Sequence, residues 1–479
     1  MDNSNISAKS SLKGFWSLFL TQFQGAFNDN AFKFIVIFMV LGKAAADEWA
    51  PLIGFVFALP FILFSAFAGQ LATRFSKRQV AVWTKYAEVL IMILATIGLF
   101  FKSDTMLIIV VFLLSTQSAF FGPSKYGLLP ELLPEKRLSW GNGIIQFGTT
   151  IAIIIGTVLA GILFGIFEDY QYLSGVVLLV FSLIGLNFSL RIDKVEPAVP
   201  GHRIVFNPIP ELVDRFFMIR KDRPLFLAII AESTFWLLGA LMQFCILFYG
   251  KQLELPEAEI SYIMGALAGG IGLGCFLAGY LSANKIEYGF VPIGVIGLAT
   301  SIFLIPIFEL NNSISLVICL GAVGFFGGFY LVPLATMIQQ RPDPKLKGAV
   351  IAFNSTISFV GVALASVIYY ICKVYLEWEL LEIFMLCGFM TIAIGICILW
   401  VLPDSLIRLI GIIVTRTIYR IKIVGRDNIP ERGGALFVCN HLSFIDALLL
   451  QASTDRPIRF IMYAGYMKKS ILGIFARIM

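Results

Sequence analysis

Long apolar runs recur along most of the chain, separated by short polar segments. A helix needs about 20 mostly apolar residues to cross a bilayer. Twelve runs meet that length: 15–41, 51–72, 80–101, 106–130, 141–167, 171–190, 224–250, 258–283, 288–309, 312–339, 348–376 and 380–402. The longest polar interval falls after the sixth. The pattern therefore predicts an all-α polytopic membrane protein with a six-helix half at 1–190, a central loop at 191–223 and a second six-helix half at 224–402. Beyond Pro403 the pattern changes. Residues 403–420 are too short and too charged for another span, and read as an interfacial helix and linker. Residues 421–479 read as part of an α/β domain, in which ALFVC (435–439) has the character of a short buried strand.

Charge adds a direction. Arg74, Lys77 and Arg78 follow the second run, and Lys136 and Arg137 the fourth. Seven more basic residues lie in the central loop, while alternate loops hold single lysines. The positive-inside rule then predicts cytoplasmic termini. Only 14% of residues are charged, against about 25% in soluble proteins. The net charge of +6 is spread between spans, so it informs topology and does not point to nucleic acid. No small-residue cleavage site follows a short apolar stretch, so the first run reads as a span and not a signal peptide. The seven cysteines lack metal-ligand spacing and read as small apolar residues, with no metal site.

The halves echo each other. Ala68-Gly69-x-Leu71 returns as Ala278-Gly279-x-Leu281, and Pro123 returns as Pro333, both at an offset of 210 residues. A shared offset is the signature of a duplicated unit.

Polar residues inside spans need a reason, because a charge at mid-bilayer costs at least about 2.5–3.5 kcal/mol. Gln22, Asp29 and Lys33 share one helical face, and Asp29 and Lys33 are close enough to pair. Two readings stand: an internal ion pair, or a polar stripe along a substrate path. Asn28 and Asn30 beside Asp29 favour the stripe. Glu232 is an acid within the seventh run. Glu88, with Lys85 three residues before it, is another candidate, as a structural pair or a site group. Lys125 could snorkel to the interface or hold a phosphate headgroup.

GQLATRFSKR (69–78) resembles the loop signature of the major facilitator superfamily, G-x-L-a-D-R-x-G-R-K. It departs at Thr73 and Ser76, where Asp and Gly are usual. The resemblance implies the major facilitator fold, with Gly69, Arg74, Lys77 and Arg78 in a loop that latches the halves in one state. It also places the first and seventh spans at a central cavity, making Asp29 and Glu232 cavity acids. AFNDNAFK (26–33), FFGPSKYGLL (120–129) and LSANKIEYGFVPIG (281–294) resemble the lysophospholipid transporter branch, over about 10–402. That resemblance implies a flippase in the bacterial inner membrane, acting on lysophospholipids such as lysophosphatidylethanolamine among membrane lipids, without a cofactor. It carries over Asp29 and Lys125.

CNHLSFIDALLL (439–450), preceded by VGRDNIP, resembles the first block of the glycerophospholipid acyltransferases, N-H-x4-D. The resemblance implies that His441 is the general base on a glycerol hydroxyl and Asp446 its orienter. The acyl donor would be acyl-ACP or acyl-CoA, with acyl carrier protein as a partner. The residues themselves leave another reading open: Ser443-Phe444-Ile445-Asp446 fits a capping box. Later blocks of that family are absent before Met479, so a partial domain without acyl-transfer competence is expected. Two rival functions remain: an acyltransferase merely anchored by its helices, and an exporter of another amphiphile.

Overall fold

The structure is a computed structural model. It describes residues 4–41, 43, 46–134, 138–197, 209–281, 289–342, 347–401 and short stretches between 424 and 461. The described residues form helices and no strand. The first half comprises α1 (Ser4–Leu41), α2 (Ala46–Arg74), α3 (Lys77–Phe101), α4 (Asp104–Leu132), α5 (Leu138–Ile166) and α6 (Tyr172–Leu190). A short helix, α7 (Ile209–Arg220), lies in the central interval. The second half comprises α8 (Arg223–Gln252), α9 (Glu257–Leu281), α10 (Phe290–Ile307), α11 (Ser313–Gln340), α12 (Lys347–Tyr370, continued by a π turn at Ile371–Tyr375) and α13 (Leu380–Val401). Near the C-terminus is α14 (Ile445–Ser453).

Eleven of these helices are long and apolar enough to cross a membrane. The first run is long enough too, but Gln22, Gln24, Asn28, Asp29, Asn30 and Lys33 dilute it. Those six side chains are buried because α1 packs against α4, α5 and α6. With α1 included, the twelve predicted spans are present.

Helix ends follow local chemistry. The Asp222 side chain accepts from the backbone N–H of Leu225, and Asn312 accepts from Ser315, so each satisfies a donor in a helix's first turn. Lys102 closes α3 in the left-handed region with φ 50°.

The pairing of helices repeats between halves. In the first half α1 packs on α5, α2 on α4, α3 on α4 and α6, and α1 on α6. In the second, α8 packs on α12, α9 on α11, α10 on α11 and α13, and α8 on α13. The joins between halves, α5 with α9 and α12 with α2, are themselves a symmetric pair. The duplication read from two short motifs is thus a property of the whole array.

The halves meet from mid-membrane to one end. At that closed end Lys251 Nζ donates to the Leu41 carbonyl, and Tyr369 donates to Asp47 Oδ1 at 3.2 Å. Gly161 of α5 lies against Ser261 of α9, and Gly54 of α2 against Phe244 and Ser366. Phe61 and Phe359 stack at 4.0 Å nearer the middle. At the other end, Gly69 and Gly279 each have open space where a side chain would project.

Two expectations change here. The interval 191–223 contains α7, whose Phe216 and Ile219 pack inward. The strand expected at 435–439 is not formed: those residues are exposed and unassigned to any element. A strand is stabilised by ladder bonds to a neighbour, and no described residue supplies one. The interfacial helix expected at 403–420 lies outside the described residues.

Candidate functional site

The polar residues of α1 divide between opposite faces. On one face, the Gln24 amide donates to Glu88 Oε1 at 2.7 Å, and Lys85 Nζ donates to Glu88 Oε2 at 2.6 Å and Gln24 Oε1 at 2.9 Å. Asn28 Nδ2 donates to Glu88 Oε1 at 3.2 Å and to the Leu178 carbonyl at 3.0 Å. Lys85 is 1% and Glu88 0% exposed, so these groups need one another. The network ties α1 to α3 and α6. It places Asn28 away from the Asp29 face, contrary to the stripe expected for three successive polar residues. Successive helical residues are about 100° apart, which is enough to separate Asn28 from Asp29. Gln24 was missed in the sequence, although its i,i+4 spacing to Asn28 was visible.

The opposite face carries Gln22, Asp29 and Lys33. Gln22 Nε2 donates to Thr149 of α5 at 3.0 Å. Asp29 Oδ2 accepts from Ser118 of α4, whose hydroxyl also receives Gln117 Nε2 at 2.9 Å. Asp29 Oδ1 is buried with no hydrogen-bond partner. The expected pairing with Lys33 does not form. The Lys33 ammonium lies over the rings of Phe34 and Phe57, at 4.7 and 4.6 Å from their centroids. Aromatic faces attract a desolvated cation, and helical spacing alone does not aim the lysine at the acid. Asn30 turns back to the Ala26 carbonyl at 2.9 Å. This face therefore offers an acid and a base, both buried and neither in an ion pair. No sequence signal marked Ser118 as the acid's partner.

In the second half Glu232 lies near Asn354 of α12 and Trp236 of its own helix, and its Oε2 is buried without a partner. Lys125 is buried beneath Tyr126, with its ammonium 4.4 Å from the ring centroid.

The 69–78 loop acts within the first half in this conformation. Lys77 pairs with Glu131 at the end of α4. Arg78 donates to the carbonyls of Ile192 and Leu190 at 2.7 and 2.8 Å. The Arg74 guanidinium sits 5.5 Å from the Phe75 ring. Gly69 has no atom within 4 Å of where a Cβ would stand. None of the contacts named here reaches the second half.

At the C-terminal end, His441 lies outside the described residues. Asp446 Oδ2 accepts from the backbone N–H groups of Leu442 and Ser443, at 2.7 and 2.8 Å. This is the acid's half of a capping box, and it also grips the two residues that follow His441. Among the described residues no group of three or more His, Cys, Asp and Glu could hold a metal ion.

Residues 18–366 match the family described as Major Facilitator Superfamily, and residues 420–479 match the Acyltransferase family. A lysophospholipid transporter LplT of Cronobacter sakazakii is 29% identical over 342 residues, covering 69% of this chain and 81% of the relative. The LplT of Citrobacter koseri is 27% identical over 343 residues, covering 69% and 80%. Among solved structures, a point mutant of the nucleoside transporter NupG matches with a TM-score of 0.64 at 13% identity, covering 82% of this chain and all of that one. The peptide transporter POT in complex with sulfate gives 0.61 at 14%, covering 82% and 95%. At such identities the structural matches speak for the fold. A duplicated array with symmetric helix pairing, matched over most of its length, has one family assignment: the chain belongs to the major facilitator superfamily and carries an acyltransferase segment at its C-terminus.

Proposed function

We propose that the protein moves lysophospholipids across the bacterial inner membrane, delivering them to the leaflet where its acyltransferase domain restores the missing acyl chain. One observation carries this reading: Asp29 and Lys33, an acid and a base, sit on one buried face of α1 with no ion pair between them. A lysophosphatidylethanolamine headgroup carries an ammonium and a phosphate, the groups that would pair with them. Its ammonium would donate to Asp29 Oδ1, and its phosphate would draw Lys33 off the rings. The LplT relatives support the substrate class, and the acyltransferase segment on the same chain supports its fate. Helices serving only as an anchor would gain nothing from buried charges that cost free energy in a bilayer. In this reading both termini are cytoplasmic, the donor is acyl-ACP or acyl-CoA, and acyl carrier protein is a partner.

The test is leaflet-resolved movement of labelled lysophosphatidylethanolamine in vesicles holding the full-length protein, followed by acylation from a thioester donor. No movement above protein-free vesicles would sink the transport reading. His441→Ala should stop acylation and leave movement intact. General-base assistance typically contributes about 10²–10⁴-fold, so wild-type acylation by that variant would remove His441 from the chemistry.

A further inference from the structure

The end of α7 and the start of α8 form a feature separate from the α1 face described above. Met218, Lys221, Asp222, Arg223, Pro224 and Arg341 line a recess there. Asp222 is already engaged: both its oxygens receive Arg341 Nε, at 2.9 and 2.7 Å, and it caps α8. Lys221 and Arg223 are exposed, so the recess carries an excess of positive charge. Beside it, α7 is seated by Phe216, which meets Phe226 of α8 edge to face at 5.8 Å, and by buried Ile219. Its outer stripe is apolar and then basic. Val213 and Phe217 are 45% and 57% exposed, and Arg220 and Lys221 follow at one helical turn from Phe217. The exposed acid Asp214 stands two turns before Lys221.

We infer that this recess and stripe bind the headgroup of an anionic phospholipid, with Val213 and Phe217 dipping into the apolar edge of the same leaflet. The position favours a lipid over a soluble partner. Span α8 begins at Arg223, so the recess stands at the depth where headgroups meet the bundle. An apolar stripe flanked by cations is the pattern of a helix lying in that interface. Lys221 and Arg223 would hold the phosphate. Arg341, fixed by Asp222, would keep the floor of the recess in place and join the α7–α8 junction to the end of α11.

Native mass spectrometry of the full chain in detergent, offered phosphatidylglycerol or phosphatidylcholine at equal concentration, reads the site directly. The wild type should retain phosphatidylglycerol preferentially, and less of it at about 0.5 M salt, where screening is strong. A surface cation contributes about 1 kcal/mol to anionic-lipid attraction. Lys221→Gln with Arg223→Gln should therefore weaken retention about 25-fold, and Lys221→Gln alone about fivefold. The exposed single variant keeps the test decisive if the double variant does not fold. Equal retention of the two lipids overturns the inference, as does unchanged retention by a folded variant. Displacement by inorganic phosphate as readily as by added phosphatidylglycerol would overturn it in favour of a free-anion site. Co-elution of an acidic carrier protein with the wild type, lost in the variant while lipid retention stays the same, would overturn it in favour of a protein surface.

Discussion

The two halves share a plan of helix contacts but hold it together differently. In the first, α1, α3 and α6 are joined by the closed network of Lys85, Glu88, Gln24 and Asn28. In the second, α9 and α11 cross backbone to backbone. A Cβ at Gly274 would stand 2.0 Å from the Phe325 carbonyl oxygen, and one at Gly324 2.0 Å from that of Leu267. Gly270 and Gly274, with Gly324 and Gly328, form the small-xxx-small spacing that lets membrane helices approach closely. A duplicated scaffold therefore constrains topology and leaves the interior chemistry free. The polar groups of the first half can then be divided, one face closed in a network and the other left with an acid and a base outside any ion pair.

That contrast can be broken most severely at Lys85. Lys85→Met leaves Glu88 buried without its counter-ion, a change that typically costs about 3–5 kcal/mol. A thermal melt should show a marked loss of folded protein. Replacing both partners in Lys85→Met/Glu88→Leu should recover much of it, since a well-packed apolar pair often equals a buried ion pair. No recovery would mean that Gln24 and Asn28 depend on the charges. The matching strike in the second half is Gly274→Val. Overpacking a close contact costs about 1–3 kcal/mol, and the same melt should register it. A neutral result would show that the α9–α11 seam can spread.

Smaller effects sharpen the division within α1. Asp29→Asn should leave the melt nearly unchanged and lower lysolipid uptake about tenfold, equivalent to about 1.4 kcal/mol in the barrier. Full uptake with a collapsed melt would move Asp29 into the structural group with Glu88. Gln22→Ala removes one hydrogen bond to Thr149, worth about 1 kcal/mol. Uptake by that variant should stay within a few-fold of wild type, and a loss as deep as that of Asp29→Asn would place Gln22 at the substrate.

Much of this protein is legible in its order of residues. The spans, the split after the sixth, the repeat and the C-terminal change of character can be read because a bilayer imposes length and apolarity on every crossing segment. The missed α7 is a short amphipathic helix inside a polar interval, where no length rule applies. The strand expected at 435–439 depended on a partner, which local composition does not report. At Asp446 the capping-box pattern is visible in sequence, and the acid's half of it is formed in the structure, because its partners lie within four residues.

The sequence alone determined which residues cross the membrane, that they form two related sets, and that charged groups lie among them. It placed Gln22, Asp29 and Lys33 on one helical face, because the α-helical angle per residue is constant. Only the tertiary structure decided what each face meets. It gave Gln24 and Asn28 to Glu88, Asp29 to Ser118, and Lys33 to Phe57 in place of Asp29. Periodicity sets the angle between two side chains on one helix. The neighbour that fills that angle comes from other helices distant in sequence, and in a bilayer those neighbours take the place of water in satisfying a polar group.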